Sequence, residues 1–367
     1  MNQNENQRNK LQFEISAETG TLSYESTRKY FSILGFAIFG FSVASFLAQI
    51  ILALATNYFI RSFAPELFSS SLANSLINYL WSFIPLYCVG LPVFLKIAKR
   101  LPKIKPLKQK MKFFHILAGL CICVALMISG SMASNTIMNF FENLKGQSIS
   151  NPIEEVTTNS SWWLNLVFVA ILAPIAEELL YRKILCTRLL PLGEGWAVVI
   201  SAAVFALAHG NFYQCVYAFT LGLFFGFIYV KTGKLGYSIF YHFMINLLGG
   251  VVSPFLIEQL NKISPDLYNR LMTETDMTWF WEMMPEQQAM FTIIYSLLTI
   301  HSLALYALAI VGAIILIVAA AKKKLALQGG LIPPVKEGKF SALFLNTGVA
   351  LSIAYFLFTF VLSLVSN

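Results

Sequence analysis

Glu177 and Glu178, with Arg182 a turn further on, lie inside one apolar run of this chain; His209 closes the next run, and His242 with Asn246 sits in a later one. Carboxylates and imidazoles are the side chains that take and return protons near neutral pH, and a buried asparagine supplies a neutral donor and acceptor. Placing a charged residue mid-helix in lipid costs on the order of 2.5–3.5 kcal/mol even on lenient scales, so each one needs a compensating role. The pattern reads as one buried polar reaction site assembled from three helices.

Helical spacing separates the roles. In the segment from Ala173 through Pro174 to Arg182, Glu178 and Arg182 are four apart and share a face, so they neutralise one another as a local ion pair. Glu177 points about 100° away and has Tyr181 as its own neighbour a turn on. It is therefore the freer carboxylate and the candidate general base. A plain Glu–Arg pair steadying a helix kinked at Pro174 is the structural alternative. Phe205 and His209 fall a turn apart on one face, where the aromatic ring can fix the imidazole. His242 and Asn246 repeat that spacing; interhelical hydrogen bonding alone would also use such a pair. Taken together, Glu, His, His and Asn on three neighbouring helices exceed what structural hydrogen bonding needs.

Two chemistries fit this set. In one, Glu177 and His209 deprotonate a water that attacks an amide carbonyl, while His242 and Asn246 hold the developing oxyanion. In the other, Glu177, His209 and His242 ligate a divalent metal such as zinc, with Glu178 or Asn246 in support, and the metal activates the water. The chain lacks His-Glu-x-x-His, in which two ligands share one helix, and the metal-free account is preferred. His115, beside a basic loop, reads as interfacial, and His301 has no acidic neighbour in sequence. No Gly-x-Ser-x-Gly elbow stands out. Cys88, Cys121, Cys123, Cys186 and Cys215 show no metal spacing and read as small apolar core residues.

The elements that must position these residues are membrane helices. Hydrophobic residues make up 57% of the chain and charged ones only 12%, and the mean hydropathy is +0.67, outside the range of a soluble domain. Apolar runs of about 20 residues, enough to cross roughly 30 Å of hydrocarbon, recur without the two-residue alternation of a barrel. Spans are expected near Tyr30–Phe59, Ser75–Lys96, Phe113–Phe141, Trp162–Leu190, Trp196–His209, Val216–Val230, Leu235–Leu256, Met290–Ala321 and Phe340–Leu364. The fold class is all-α: a polytopic transmembrane helix bundle of eight or nine spans, with a core of four helices carrying the site.

The chain divides into a mobile cytoplasmic N-terminal tail over 1–29, transmembrane helices one to three over 30–160, the site-bearing helices four to seven over 161–255, an extracytoplasmic loop over 256–289, and helices eight and nine over 290–367. In the core, Gly222 and Gly226 form a small-xxx-small pattern, and Ser201, Ala202 and Ala203 offer a matching small surface. The flanking spans are bulkier and read as a lipid-facing shell. Trp279, Phe280 and Trp281 in the late loop read as an aromatic belt on the membrane surface.

Positive charge sets the orientation. Lys99, Arg100, Lys103, Lys105, Lys108, Lys110 and Lys112 crowd the second connection, and further basic residues precede span one and follow spans four, six and eight. These connections are expected in the cytoplasm, with Arg61–Asn74, Glu142–Ser161, Glu258–Gln287 and the C-terminus outside. The net charge of +8 follows from this topology. It gives no support to nucleic-acid binding and points to anionic headgroups of the lipid bilayer as its counterpart. No secretory signal peptide is expected, because the leading residues are polar and the first apolar run is too long.

Glu177-Glu178-x-x-x-Arg182, Phe205-x-x-x-His209 and His242-x-x-x-Asn246, in this order within one bundle, resemble the three motifs of the CPBP family, the CAAX-protease and bacteriocin-processing group also called Abi. That group includes the type II CAAX prenyl endopeptidases. The resemblance covers about Ser161–Phe255. It implies an intramembrane endopeptidase of the cell membrane whose cavity opens toward the cytoplasm. By motif, Glu177 and His209 correspond to the water-activating pair, His242 and Asn246 to the oxyanion-stabilising pair, and Glu178, Arg182, Phe205 and Tyr181 to supporting positions. The family has been described both as metalloproteases and as glutamate-type, which leaves the metal open. The expected partner is a membrane-associated peptide or protein substrate: a peptide, pheromone or bacteriocin precursor, or a membrane protein. A non-proteolytic bacteriocin-immunity or scaffold protein is the alternative. A transporter would spread polar residues along a pathway and show internal symmetry, which this sequence does not.

Overall fold

The computed structural model describes residues 13–16, 19–265 and 267–365. Among them, eight helices are long and apolar enough to cross a membrane: α1 Tyr24–Phe63, α2 Ser71–Ala98, α3 Phe113–Lys145, α4 Trp162–Leu192, α6 Phe212–Thr232, α7 Leu235–Ile263, α8 Pro285–Ala321 and α9 Thr347–Val365. A ninth helix, α5, runs Glu194–Leu207 and is too short to cross by itself. Strand content is limited to isolated bridges, Ile15 with Leu22 and Gly193 with Gly329. The bundle is all-α, as the apolar runs require. The short fifth helix is the correction to a count of nine full spans.

The chain ends α5 early for a local reason. Gly210 takes φ +66, a left-handed conformation that glycine adopts without a Cβ clash. Asn211 then caps α6 by accepting a hydrogen bond from the Gln214 N–H at 2.9 Å, which supplies one of the donors a helix start leaves unpaired. The reversal folds α5 and α6 into an antiparallel pair. A Cβ on Gly222 would stand 3.1 Å from the Ala202 Cα, and one on Gly226 3.3 Å from the Val198 Cα. The small-residue stripes of α5 and α6 therefore set their closest approach.

Other expectations shift. Helix α1 begins at Tyr24 rather than Tyr30, capped by Ser23. The residues just before it are anchored: Phe13 and Leu22 are buried, and the Leu22 N–H donates to the Pro333 carbonyl at 2.8 Å. The rest of the expected mobile tail, 1–12 with 17 and 18, lies outside the described residues. The last span divides at Asn346, where the Asn346 amide donates to the Leu343 carbonyl at 2.8 Å and accepts from the Val349 N–H at 3.1 Å. Helix α3 is more than shell, since Gly130 lies against Tyr217 and Gly119 against Tyr241. Helix α8 fits the lipid-facing expectation, with 6% of its most apolar window buried. In the late loop, Trp279 is buried with Leu260, Leu267 and Phe291, while Trp281 is exposed; only the second fits a surface belt. Cys123 and Cys186 are buried, whereas Cys88 is exposed.

The basic connections meet at one end of the bundle. The Ile104 N–H donates to Thr187 at 2.9 Å, Gln109 to Thr232 at 2.7 Å, Glu194 to Gln328 at 3.0 Å and Ile332 to Pro191 at 3.0 Å. Lys231 pairs with Glu194 at the same end. The opposite end gathers the 142–161 connection, held by Tyr213, whose hydroxyl donates to the Ile149 carbonyl at 2.8 Å and to Glu142 at 3.0 Å.

Candidate active site

Helix α4 carries the carboxylates, and its winding explains how they are presented. It is wound as a π-helix over Asn165–Leu172, as an α-helix over Ala173–Glu178 and as a π-helix again over Leu179–Cys186. In the first wide turn the Ala173 N–H reaches the Phe168 carbonyl, five residues back. Continuing that pattern, residue 174 would donate to Val169, but Pro174 has no N–H to give. The Asn246 side chain takes its place, donating from Nδ2 to the Val169 carbonyl at 2.9 Å. Asn246 thus ties α7 to the unsatisfied carbonyl of α4 and keeps its second N–H and its oxygen.

His242, one turn before Asn246, stands between the two acids. Its Nδ1–H donates to Glu178 Oε1 at 3.2 Å, and its Nε2 faces Glu177 Oε2 at 3.6 Å. The ring lies stacked on Phe225, centroids 5.1 Å apart, and edge-on to Phe205. Its contacts fix the tilt of the ring. Glu178 is fully buried and also accepts from Arg182 Nε at 3.1 Å. Arg182, equally buried, donates from Nη1 to Ser201 at 3.1 Å and lies over the Phe205 ring at 5.2 Å. Its Nη2 has no hydrogen-bond partner.

The i,i+4 pairing of Glu178 with Arg182 is as the spacing requires, and Glu177 is the freer acid, with 23% of its side chain exposed. The partner differs from the expectation. Glu177 faces His242, and Glu178 serves both Arg182 and His242, because α7 docks on the face of α4 between the two acids. His209 joins the same cavity, half-buried at the end of α5, with its Nδ1–H donating to the Phe205 carbonyl at 2.8 Å. That bond leaves its Nε2 lone pair free to accept a proton. Phe205 is in ring contact with Tyr181, His209 and His242 alike. Sequence reasoning did not single out Phe225 for the site, and it named Ser201 only as a small residue. His301 finds a neutral partner, Ser253 Oγ at 3.2 Å.

These side chains lie at the bottom of a cavity of about 610 Å³, a size suited to a small ligand or a short stretch of peptide. Its walls are apolar, from Phe83, Phe168, Val169, Leu221 and Ile245, and its far end is polar, from Asn78, Asn151, Glu154, Thr158 and Asn211. Glu178, Arg182 and Tyr241 are buried behind this lining. The cavity thus reaches the 142–161 connection, at the end opposite the basic connections. As for a metal, no group of three or more His, Cys, Asp or Glu side chains among the described residues is arranged to hold one. His242 Nδ1 and His209 Nδ1 are both engaged in hydrogen bonds. With Nδ1 so held, each imidazole keeps Nε2 as its remaining donor atom, as a metal-ligating histidine does, and Glu177 with those two nitrogens would be the set to hold an ion.

Comparison with known proteins adds the family relation. Residues 159–248 match the family described as type II CAAX prenyl endopeptidase Rce1-like, which bears out the resemblance carried by the three motifs. The chain is 32% identical over 88 residues to "Membrane-embedded CAAX protease MroQ" of Staphylococcus aureus, covering 22% of this chain and 36% of that protein. It is 25% identical over 142 residues to "CAAX prenyl protease 2" of Arabidopsis thaliana, covering 33% of this chain and 43% of that protein. The chain thus spans well under half the length of these curated relatives. No solved structure matches it.

Proposed function

From the kinship of residues 159–248 with the type II CAAX prenyl endopeptidases, we propose that this chain is an intramembrane endopeptidase that hydrolyses a peptide bond of a membrane-associated peptide or protein. One observation carries the reading: Glu177, open to the cavity, faces His242 Nε2 across 3.6 Å while the other imidazole nitrogen is held by buried Glu178. A gap of that width is too long for a direct hydrogen bond. Both groups can hydrogen-bond to one water lying beside the gap, on the cavity side.

In the proposed reaction Glu177 takes a proton from water as the water oxygen bonds to the amide carbon. The carbonyl oxygen becomes an oxyanion, stabilised by the remaining N–H of Asn246 and by His242, whose Nε2 donates when both ring nitrogens carry a proton. The carbon–nitrogen bond then breaks as the proton held by Glu177 passes to the leaving nitrogen, giving a carboxylic acid and an amine. His209 shares the water through its free Nε2. Glu178 and Arg182 act as positioning residues through His242, and no covalent intermediate forms. The gathering of Glu177, His209, His242 and Asn246 at one cavity favours hydrolysis over transport, which needs a continuous polar path.

The test is the purified protein in detergent with quenched fluorescent peptides, both CAAX-type and drawn from host membrane proteins, for the native chain, Glu177→Ala and His209→Ala. Loss of cleavage in Glu177→Ala and a deep reduction in His209→Ala are expected. Equal cleavage by all three overturns the mechanism. Binding of the peptides without cleavage by any of them would favour the immunity or scaffold reading.

A further inference from the structure

The cavity reaches the 142–161 connection, and the basic connections lie at the other end of the bundle. At one end Ile104, Gln109 and Gln328 are tied to the ends of α4 and α6 and the start of α5, and the lysines of the 99–112 connection surround them. At the other, Asn151, Glu154 and Thr158 line the cavity, on a connection braced by Thr157, whose carbonyl accepts from Asn165 at 2.7 Å. Lysine- and arginine-rich short connections stay on the cytoplasmic side during insertion. The 142–161 connection carries Glu142, Glu154 and Glu155 against one lysine, Lys145, and no lysine or arginine among the described residues lines the cavity.

We propose that substrate reaches Glu177 from the extracytoplasmic face of the membrane. The substrate class is then an extracytoplasmic or exported segment of a membrane-anchored polypeptide, neutral or cationic where it enters the cavity, and not a cytoplasmic tail. The substrate half of this statement rests on the hydrolase reading; the side of access rests on topology alone. A peptide approaching from that side meets Asn151, Thr158 and Asn211 first and the apolar walls next. It ends at Glu177, with Glu178 and Arg182 buried behind the lining.

The experiment places single cysteines, Thr158→Cys at the cavity and Lys108→Cys at the basic end, in the otherwise native chain within intact cells. A membrane-impermeant maleimide is applied before and after permeabilisation, and the labelled site is read by peptide mass spectrometry, which separates it from the native cysteines. Monodisperse extraction of both variants checks their folding. Label on Thr158→Cys before permeabilisation, and on Lys108→Cys only afterwards, is expected. The reverse pattern, or label on both before permeabilisation, overturns the proposal. A second arm adds a quenched cationic peptide outside sealed vesicles sorted by orientation. Cleavage confined to vesicles with Thr158 outward supports the substrate class, and cleavage confined to the other pool overturns it. Failure of both pools to cleave in the presence of the expected labelling would count against the hydrolase reading and leave the side of access standing.

Discussion

His242 Nδ1 and Glu178 Oε1 stand 3.2 Å apart, joining α7 to α4 through a carboxylate that Arg182 also holds. The same acid thus neutralises a buried cation and orients an imidazole, so the two adjacent glutamates fail in different ways when changed.

Glu178→Gln leaves Arg182 buried without its counter-charge, and breaking such a pair costs about 3–5 kcal/mol. Loss of folded protein on thermal challenge in detergent, read by size exclusion, is the expected result. Glu177→Gln, on a partly exposed acid, should change stability by less than about 0.5 kcal/mol while reducing cleavage by roughly 10²–10⁴-fold. Similar melting losses for both would refute the division of labour.

Asn246 and Pro174 form a testable pair. Asn246→Ala strips the Val169 carbonyl of its donor, which costs about 1–3 kcal/mol in a buried site. Pro174→Ala returns a backbone N–H within reach of the same carbonyl. The double variant should therefore recover part of the stability lost in Asn246→Ala, measured as a non-additive shift in a mutant cycle, while cleavage stays low because the oxyanion donor is still gone.

Gly222→Leu forces α6 away from Ala202 and Phe205, whose atoms would lie 3.1 Å from the new Cβ. Overpacking of this kind costs about 1–3 kcal/mol, and it displaces the ring that touches both histidines. Reduced cleavage in a protein that still extracts as a single species is expected, against near-native behaviour for an equally bulky change at lipid-facing Ile317.

Treatment with a strong chelator followed by desalting should leave cleavage intact, and added zinc should not raise it. Loss on chelation with recovery on zinc would show that the reaction runs through a metal held by Glu177 and the two imidazoles.

Much of the fold was legible because it depends on sums over long windows. Twenty-residue apolar runs, small-residue stripes and lysine-rich connections report helices, close packing and ends without tertiary knowledge. The pair Glu178–Arg182 was legible for a similar reason, being local to one helix. Partnership between helices was not. Nothing in the spacing of Glu177 says whether α5 or α7 lies across from it, so His209 was paired with it and His242 emerged as its neighbour. Phe225 carried no polar signature among many phenylalanines. Pro174 was the missed signal: read as a kink, it also marks a carbonyl that a side chain from another helix must satisfy. The cavity was hidden because it depends on which residues of separate helices line it, a property of packing.

Helix α5 ends after 14 residues, about 21 Å at 1.5 Å per residue, short of the roughly 30 Å of a bilayer's hydrocarbon core. For a hydrolase in lipid the scarce reagent is water, which partitions poorly into hydrocarbon. A truncated helix followed by His209 and Asn211 sets polar side chains in the wall of the cavity that Glu177 also lines, where water is better held than in hydrocarbon. The length of α5 thus bears on reagent supply: a longer helix would set apolar surface where His209 and Asn211 now border the cavity.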